Sequence, residues 1–575
     1  MTIRAALVQN GMAGGVLRDA DWLRATLGPA TLFAARGTPC SVTARAALIG
    51  WAFRRDGFRP CATLGEDDAH RIAESAGAWA IRNLWGNYLL FWADGRDRVH
   101  LLRSPVTGPP LFQLDAAPSG NGDAGAAGGC AFTDLALARA LGFALDRPDP
   151  RAVDAYLRYP LLRTRRAGIE GVAEILPGEI ARLGEARTSA DSWSPWDHAL
   201  APPRRVDAAE LGDMVGSVTR AWSSRFGRIQ LELSGGIDSS IVAACLAGRG
   251  APWRAVTMVT AEPDGDERIY ARAVAVRSGV SLFELLLPSE PADPIAPPPR
   301  VDVRPGGFGL IAPTDAAFLR TAQDYRAEAI FSGTGGDGAF GYQTTIAPAI
   351  DALRFAGWRA AFGAARDQAR ITDDTIWSAL GHGLRAWLRD IRMWPVDDSL
   401  LSRRHAGERP AHPWIDDAAR IVPGQRRYGL GLLAIQPFLD GYARAHVLPK
   451  IAPLMSQPLI EFGLGVPSWQ WGEGGLNRAL ARAAFRGDLP DLVLSRRSKG
   501  RILSMFLPAF ENGRERLSAF LLDGWLAGEG LLDCDAIDAL LSGRRQADSL
   551  EMLRILHFAD IENWARAIVG KSAIG

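Results

Sequence analysis

Along the first 200 residues apolar positions gather in short runs separated by turn-forming residues, as in IRAALVQN (3–10), NYLLFWADGRDRVHLL (87–102) and GEIARL (178–183). Short apolar runs bounded by such punctuation predict strands. In the second run, Tyr88 to Trp92 and Val99 to Leu102 flank Asp94-Gly95, a pair that accepts the positive φ of a tight turn, so a hairpin is expected. From about residue 206 the pattern changes. DAAELGDMVGSVTRAW (207–222), DSSIVAACLAGR (238–249) and DERIYARAVAVRSG (266–279) read as helices, and RIQLEL (228–233), RAVTMVT (254–260) and EAIFSG (328–333) as short buried strands. Strand and helix in alternation predict an α/β fold with a parallel, doubly wound sheet. APPRR (201–205) is the expected linker, leaving one unit over 1–200 and a second over 206–575.

Three stretches stand outside this pattern. The Gly/Ala-rich segment 116–131 predicts a surface loop. The Pro/Gly-rich segment 287–313 is too rich in proline for a central strand and predicts a long loop over the sheet, suited to a lid. Residues 351–394 carry Trp358, Trp377, Trp387 and Trp394 among seven arginines. Their expected state is an amphipathic helical subdomain with tryptophan in the core, the alternative being a docking surface for a peptide or protein.

Composition narrows the class of partner. At 575 residues, 47% hydrophobic and 22% charged, the chain is too long for one core and too apolar for disorder. Its formal charge of +1 and lack of a long basic block leave little support for nucleic-acid binding, so a small neutral molecule or a peptide fits better. Five scattered cysteines (Cys40, Cys61, Cys130, Cys245, Cys534) without a C-x-x-C argue against a disulfide framework or zinc ribbon and for a reducing compartment. No signal-peptide pattern and no run of 18 apolar residues is present, which predicts a cytoplasmic protein without a membrane partner.

The segment with chemical content is LELSGGIDSS (231–240). A strand entering a Ser-Gly-Gly turn at a helix N-terminus offers backbone N–H groups and the positive end of the helix dipole to an anion. Gly235 and Gly236 allow close approach to phosphate, and Ser234, Ser239 and Ser240 can donate hydroxyl hydrogen bonds. Asp238 beside phosphates requires a cation between them, which points to Mg²⁺. The lysine of a G-x-x-x-x-G-K-[ST] loop is absent, so this is no γ-phosphate-transferring loop of that type. S-G-G-x-D-S-S instead resembles the pyrophosphate loop of ATP pyrophosphatases, which transfer AMP and release pyrophosphate. A second strand, Ala329 to Phe331, runs into Ser332-Gly333-Thr334-Gly335-Gly336-Asp337, and strand ends of a parallel sheet converge, so Asp238 and Asp337 can face one cation.

LSGGIDSS followed by FSGTGGDGAFGY resembles the synthetase domain of the asparagine synthetase superfamily. DERIYARAVA (266–275), PLMSQPLIEF (453–462) and LPDLVLSRRSKG (489–500) are similar to further segments of that domain, and LWGNYLLFWAD with GIEGVAEILPGEIARL to its glutaminase-like domain. The resemblance implies an N-terminal Ntn-hydrolase-like, glutaminase-type αββα domain and a C-terminal ATP-pyrophosphatase sheet with helical additions. The departures are informative. Residue 2 is Thr2, where asparagine synthetases expose a catalytic cysteine, and Cys40 is the first cysteine, so a glutaminase without activity is expected and the amine must belong to the substrate. Thr334 stands where asparagine synthetases carry glutamate and β-lactam synthetases tyrosine, and Gly338 where asparagine is commoner in lasso-peptide cyclases.

The overall pattern looks most like those cyclases. By resemblance, Leu233, Met258, Ser332 and Gly333 line the adenine and ribose pocket, Ser234 to Ser240 cradle the phosphates of ATP, and Asp238 and Asp337 hold Mg²⁺. Lys499, in preference to Arg496 or Arg497, supplies the active-site cation, and Glu267 contacts ATP or substrate. The expected reaction is adenylation of an Asp or Glu side-chain carboxylate of a precursor peptide and attack by its N-terminal amine, closing a macrolactam with release of AMP and pyrophosphate. A leader peptidase and a leader-recognition protein are the expected partners. The alternatives are a β-lactam or amide synthetase acting on a small acid, and a catalytically silent scaffold that binds ATP or peptide.

Overall fold

The computed structural model describes residues 3–10, 21–114, 129–185, 192–200, 202–259, 266–287, 292–306, 308–373, 375, 394–404, 408–496 and 506–570. Thr2, residues 116–128 of the Gly/Ala stretch, Trp377, Trp387, Arg385, Arg389, Arg392, Arg497 and Lys499 lie outside the described residues.

The N-terminal apolar runs form two antiparallel sheets. One has the order Val172–Glu174, Phe112–Leu114, Cys130–Phe132, Ala5–Gln9, Ala30–Ala35, Trp22–Leu27; the other runs Ile180–Arg182, Val99–Arg103, Leu84–Ala93, Ala46–Arg54, Cys40–Val42. Successive side chains of a strand point to opposite faces. Leu7 and Leu32 of the first sheet thus meet Ile49, Leu89 and Phe91 of the second in a shared core. Their neighbours Ala6, Val8 and Phe33 pack outward with helices Leu507–Leu522 and Ser549–Val569 from the chain's far end. On the other side Phe53, Trp85 and Tyr88 pack outward with Trp222 and Phe226. The inner strands of each sheet are covered on both faces, which is why they read as continuous apolar runs, whereas the edge strand Trp22–Leu27 is largely exposed.

The third sheet is parallel, in the order Leu282–Leu286, Trp253–Val259, Ile229–Glu232, Ala329–Ser332, Lys450–Ile451. Helices Ala208–Ser223, Ile237–Ala247 and Arg268–Ser278 fall where the periodicity predicts them. The first opens on a capping box, with Asp207 accepting from the Glu210 N–H and Glu210 accepting in return. From the central strand Ile229–Glu232 the chain builds first to one side and later to the other, so a crevice opens at the carboxyl ends beside it.

Four expectations are corrected. The hairpin forms, with Ala93 opposite Val99, but its positive φ falls on Asp97 (56°) and not on Gly95, because the Asp94 carboxylate accepts from the Arg96 and Arg98 N–H groups and shapes a longer loop. The Gly/Ala stretch ends inside a buried strand, Cys130–Phe132. The Pro-rich segment is no free lid over the described part: Val303 is fully buried, Gly168 donates its N–H to Val303 O, and Arg304 is ion-paired with Glu174. Trp358 is 68% exposed rather than in the core, whereas Trp394 is buried. Among the described residues no helix is long and apolar enough to cross a membrane.

Candidate functional site

Leu233 to Gly236 turn from the end of the central strand into helix Ile237–Ala247, capped by Gly236. Gly235 has φ 73°, and a Cβ there would stand 2.5 Å from Tyr270 Cβ, so helix Arg268–Ser278 packs directly on the turn. The serine hydroxyls hold its shape. Ser239 Oγ accepts from the Ser234 N–H at 3.3 Å, and Ser240 Oγ donates to Gly236 O at 2.8 Å.

The second glycine loop locks into the first. A Cβ on Gly333 would lie 2.4 Å from Ser239 N, and one on Gly336 2.3 Å from Asp238 Cγ. Gly335 has φ 86°, and a Cβ there would meet Met455 of the PLMSQPLIEF segment. The two loops therefore share an open cleft of about 350 Å³ at the carboxyl edge of the sheet. Leu233, Ser234, Gly236, Asp238, Ser239, Met258, Ser332, Gly333 and Asp337 all line it. Gly235, Ser240 and Glu267 stand behind that wall: the first backs onto Tyr270, the second is fully buried, and the third is ion-paired with Arg496.

Asp238 and Asp337 converge on one cation, which in this structure is a guanidinium. Arg478 Nη1 donates to both Asp238 oxygens at 3.0 Å, and its Nη2 pairs with Asp337. Arg478 is 5% exposed and begins helix Ala479–Ala484 from a left-handed backbone (φ 56°), which aims its side chain back at the two loops. The region around RRSKG contributes through Arg496, whose guanidinium lies 4.0 Å from the Tyr270 ring centroid and pairs with Glu267. Arg496 was within the basic cluster visible in sequence. Arg478, inside GGLNRALARAAF, carried no signal beyond a helix start.

A second residue that sequence reasoning missed is Lys450, on the edge strand Lys450–Ile451. Its Nζ lies 3.1 Å from Thr334 Oγ1 and donates to Phe438 O at 3.0 Å. Thr334 Oγ1 in turn lies 2.8 Å from Ser332 Oγ.

The Asparagine synthase family model matches residues 217–566, from within helix Ala208–Ser223 to within the last turn of helix Ser549–Val569. No curated protein matches the chain. Members of the matched family are ATP-dependent ligases that form carbon–nitrogen bonds through an AMP-forming adenylation. With the match spanning the parallel sheet, both interlocked glycine loops and more than half of the sequence, the chain belongs to the asparagine synthase family.

Proposed function

We propose that this protein adenylates an Asp or Glu side-chain carboxylate of a precursor peptide and joins it to the peptide's own N-terminal amine, closing a macrolactam. The observation that carries the adenylation half is the interlocking of the two loops, which sets a phosphate-sized turn and two carboxylates around one cleft. The carboxylate oxygen attacks the α-phosphorus of ATP and pyrophosphate leaves; amine attack then breaks the acyl–phosphate C–O bond and releases AMP. Asp238 and Asp337 fit Mg²⁺, because both are hard oxygen donors already turned toward a single cation, the guanidinium of Arg478. When bound, the ion would neutralise charge gathering on the departing pyrophosphate. Ser234, Gly236 and Ser239 would face the phosphates, Leu233, Met258, Ser332 and Gly333 the nucleoside, and Lys499 would supply the remaining cation.

The amine is assigned to the peptide because the chain offers no activated thiol to release ammonia from glutamine. Burial pushes Cys40 up to about 11 and Cys130 and Cys245 up to about 12, and it raises Cys61 and Cys534 as well. A thiol so shifted is scarcely ionised at neutral pH. A leader peptidase and a leader-recognition protein would deliver the substrate in this reading, and the units 1–200 and 206–575 would act as a silent glutaminase-like domain and the synthetase.

The test is pyrophosphate release with ATP and Mg²⁺, comparing leader-processed precursor peptides with Asp, Glu and small amino acids, with Asp238→Ala as control. Peptide-dependent release and a product lighter by one water are expected. Release with small acids alone would move the protein to lactam or amide synthesis, and no release with any substrate would overturn the enzymatic reading.

A further inference from the structure

Only three of the 65 basic residues in this chain are lysine: Lys450, Lys499 and Lys571. Everywhere else a positive charge is provided by arginine, which does not release its proton in proteins. A lysine kept in such a chain marks a place where a compact, titratable amine is of use, and Lys450 is set inside the molecule against the second glycine loop.

The surroundings of Lys450 disfavour the ammonium form. The nearby carboxylates are already taken: Glu232 pairs with Arg444, and Asp440 pairs with Arg163 and Arg304. Among the described residues no carboxylate lies within ion-pairing distance of Nζ. Its remaining neighbours are Phe438 O and the face of Tyr442, 4.8 Å away. Burial, opposed by Glu232 and Asp440 and reinforced by Arg444, brings the Lys450 pKa down to about 8. On its other side Lys450 lines a small pocket of about 100 Å³ between the N-terminal sheets and the parallel sheet; Arg4, Arg103, Asp134, Arg300, Asp440 and His446 are the charged and titratable groups that share it. Thr334 lines the cleft. The pair thus stands in the wall between the cleft and this second pocket.

We infer that Thr334 and Lys450 form a proton relay for the amide-forming step, Thr334 touching the attacking amine and Lys450 acting through it as a positioning and proton-accepting residue. Building on the proposed ligase reaction, the neutral amine bonds to the acyl carbon. The surplus proton on its nitrogen passes to Thr334 Oγ as the Thr334 hydroxyl proton moves to Lys450 Nζ, and the C–O bond to AMP breaks with its electron pair leaving on AMP. Ser332 Oγ and the Lys450 Nζ both donate to Thr334 Oγ1 in this structure, and once Nζ is neutral its lone pair can take the threonine hydroxyl proton along the same contact.

The test separates the two half-reactions. In Lys450→Met and Lys450→Arg, peptide-dependent ATP–pyrophosphate exchange is expected to stay within about threefold of wild type while ring closure falls roughly 100-fold, the scale of a lost proton transfer. The rise of the closure rate through pH 8 is expected to become shallower in both, falling from two ionisations to that of the substrate's own amine, whose ordinary pKa is about 8. Thr334→Val should behave alike and Thr334→Ser should restore closure. Ring closure at the wild-type rate in Lys450→Arg, or equal loss of exchange and closure in Thr334→Val, would overturn the relay. A readout that needs no substrate comes from ¹³C-lysine NMR on the full chain, where the resonance absent from Lys450→Arg should titrate near pH 8. A midpoint at the ordinary lysine value of about 10.4 would overturn the relay even if no peptide supports exchange, a result that would instead remove the peptide reading.

Discussion

Arg478 occupies the point where Asp238 and Asp337 would otherwise repel one another. Asp238 is nearly buried, so its charge is kept only with a partner in place. Arg478→Met should lower the stability of the metal-free protein by about 2 kcal/mol, less than a fully buried pair would cost because Asp337 is partly exposed. The same change removes the competitor of a divalent ion, so the rise in melting temperature on adding Mg²⁺ should be larger in the variant than in wild type. Calorimetry with and without Mg²⁺ measures both, and an equal or smaller rise would show that the guanidinium and the metal do not share the site. None of this was visible in GGLNRALARAAF, since the meeting of Arg478 with two loops 140 and more residues upstream depends on the sheet between them.

At the scale of elements, close approach between loops explains glycines of the second turn, one of which, Gly333, the resemblance places in the nucleoside pocket. Gly333 and Gly336 are glycine because the neighbouring loop leaves no room for a Cβ. Gly336→Ala should push Asp238 aside and lower ATP–pyrophosphate exchange roughly 100-fold, as displacements of about 1 Å do, while the far-ultraviolet spectrum stays native. Exchange at the wild-type rate would mean that the loops separate on binding. Helix Ala347–Ile371 holds a different kind of glycine, Gly357 at φ 83° and ψ 178°, a conformation open essentially to glycine alone. Nothing lies within 4 Å of a Cβ added there, so Gly357→Ala isolates backbone strain, and its cost should be about 1–3 kcal/mol in urea unfolding. An unchanged midpoint would indicate a continuous helix in solution. The kink leaves Trp358 in solvent, which is why periodicity across 351–394 misplaced it.

For the whole molecule, a buried charge cluster joins the N-terminal sheets to the rest. Glu174 bonds to Arg103 at 2.7 Å and to Arg304 at 2.6 Å, and Arg304 reaches Asp440 at 3.3 Å. Burial alone would raise the Glu174 carboxyl, but the charge of Arg304, its hydrogen bonds and then Arg103 outweigh it and hold the pKa below its ordinary value. Asp440 is lowered likewise, burial being overcome by Arg163 and Arg304. Groups depressed in the folded state stabilise it above their unfolded pKa, about 4, and that stability is lost as pH falls further toward the folded value. Urea midpoints should therefore be level from pH 7 to about 5 and drop below about 4. Glu174→Gln should cost about 3 kcal/mol or more at pH 7 by stranding two buried arginines, and should flatten the acid drop. A variant with wild-type stability at pH 7 would show that the cluster does not hold the halves together.

The sequence by itself determined what depends on neighbours along the chain: the alternation of strand and helix after residue 206, the turns at Ser234–Gly236 and Ser332–Asp337, and the pairing of Asp238 with Asp337 at one edge of a parallel sheet. Those follow from local periodicity and from the fixed direction of parallel strands. Only the tertiary structure decided what meets across the chain. It placed Arg478 between the carboxylates, Arg496 against Glu267, Lys450 beneath Thr334, and the Pro-rich segment against Glu174 through Arg304. Each of those contacts joins residues more than 100 positions apart, where the position of a charge is set by how sheets and helices pack and leaves no pattern in the local order of residues.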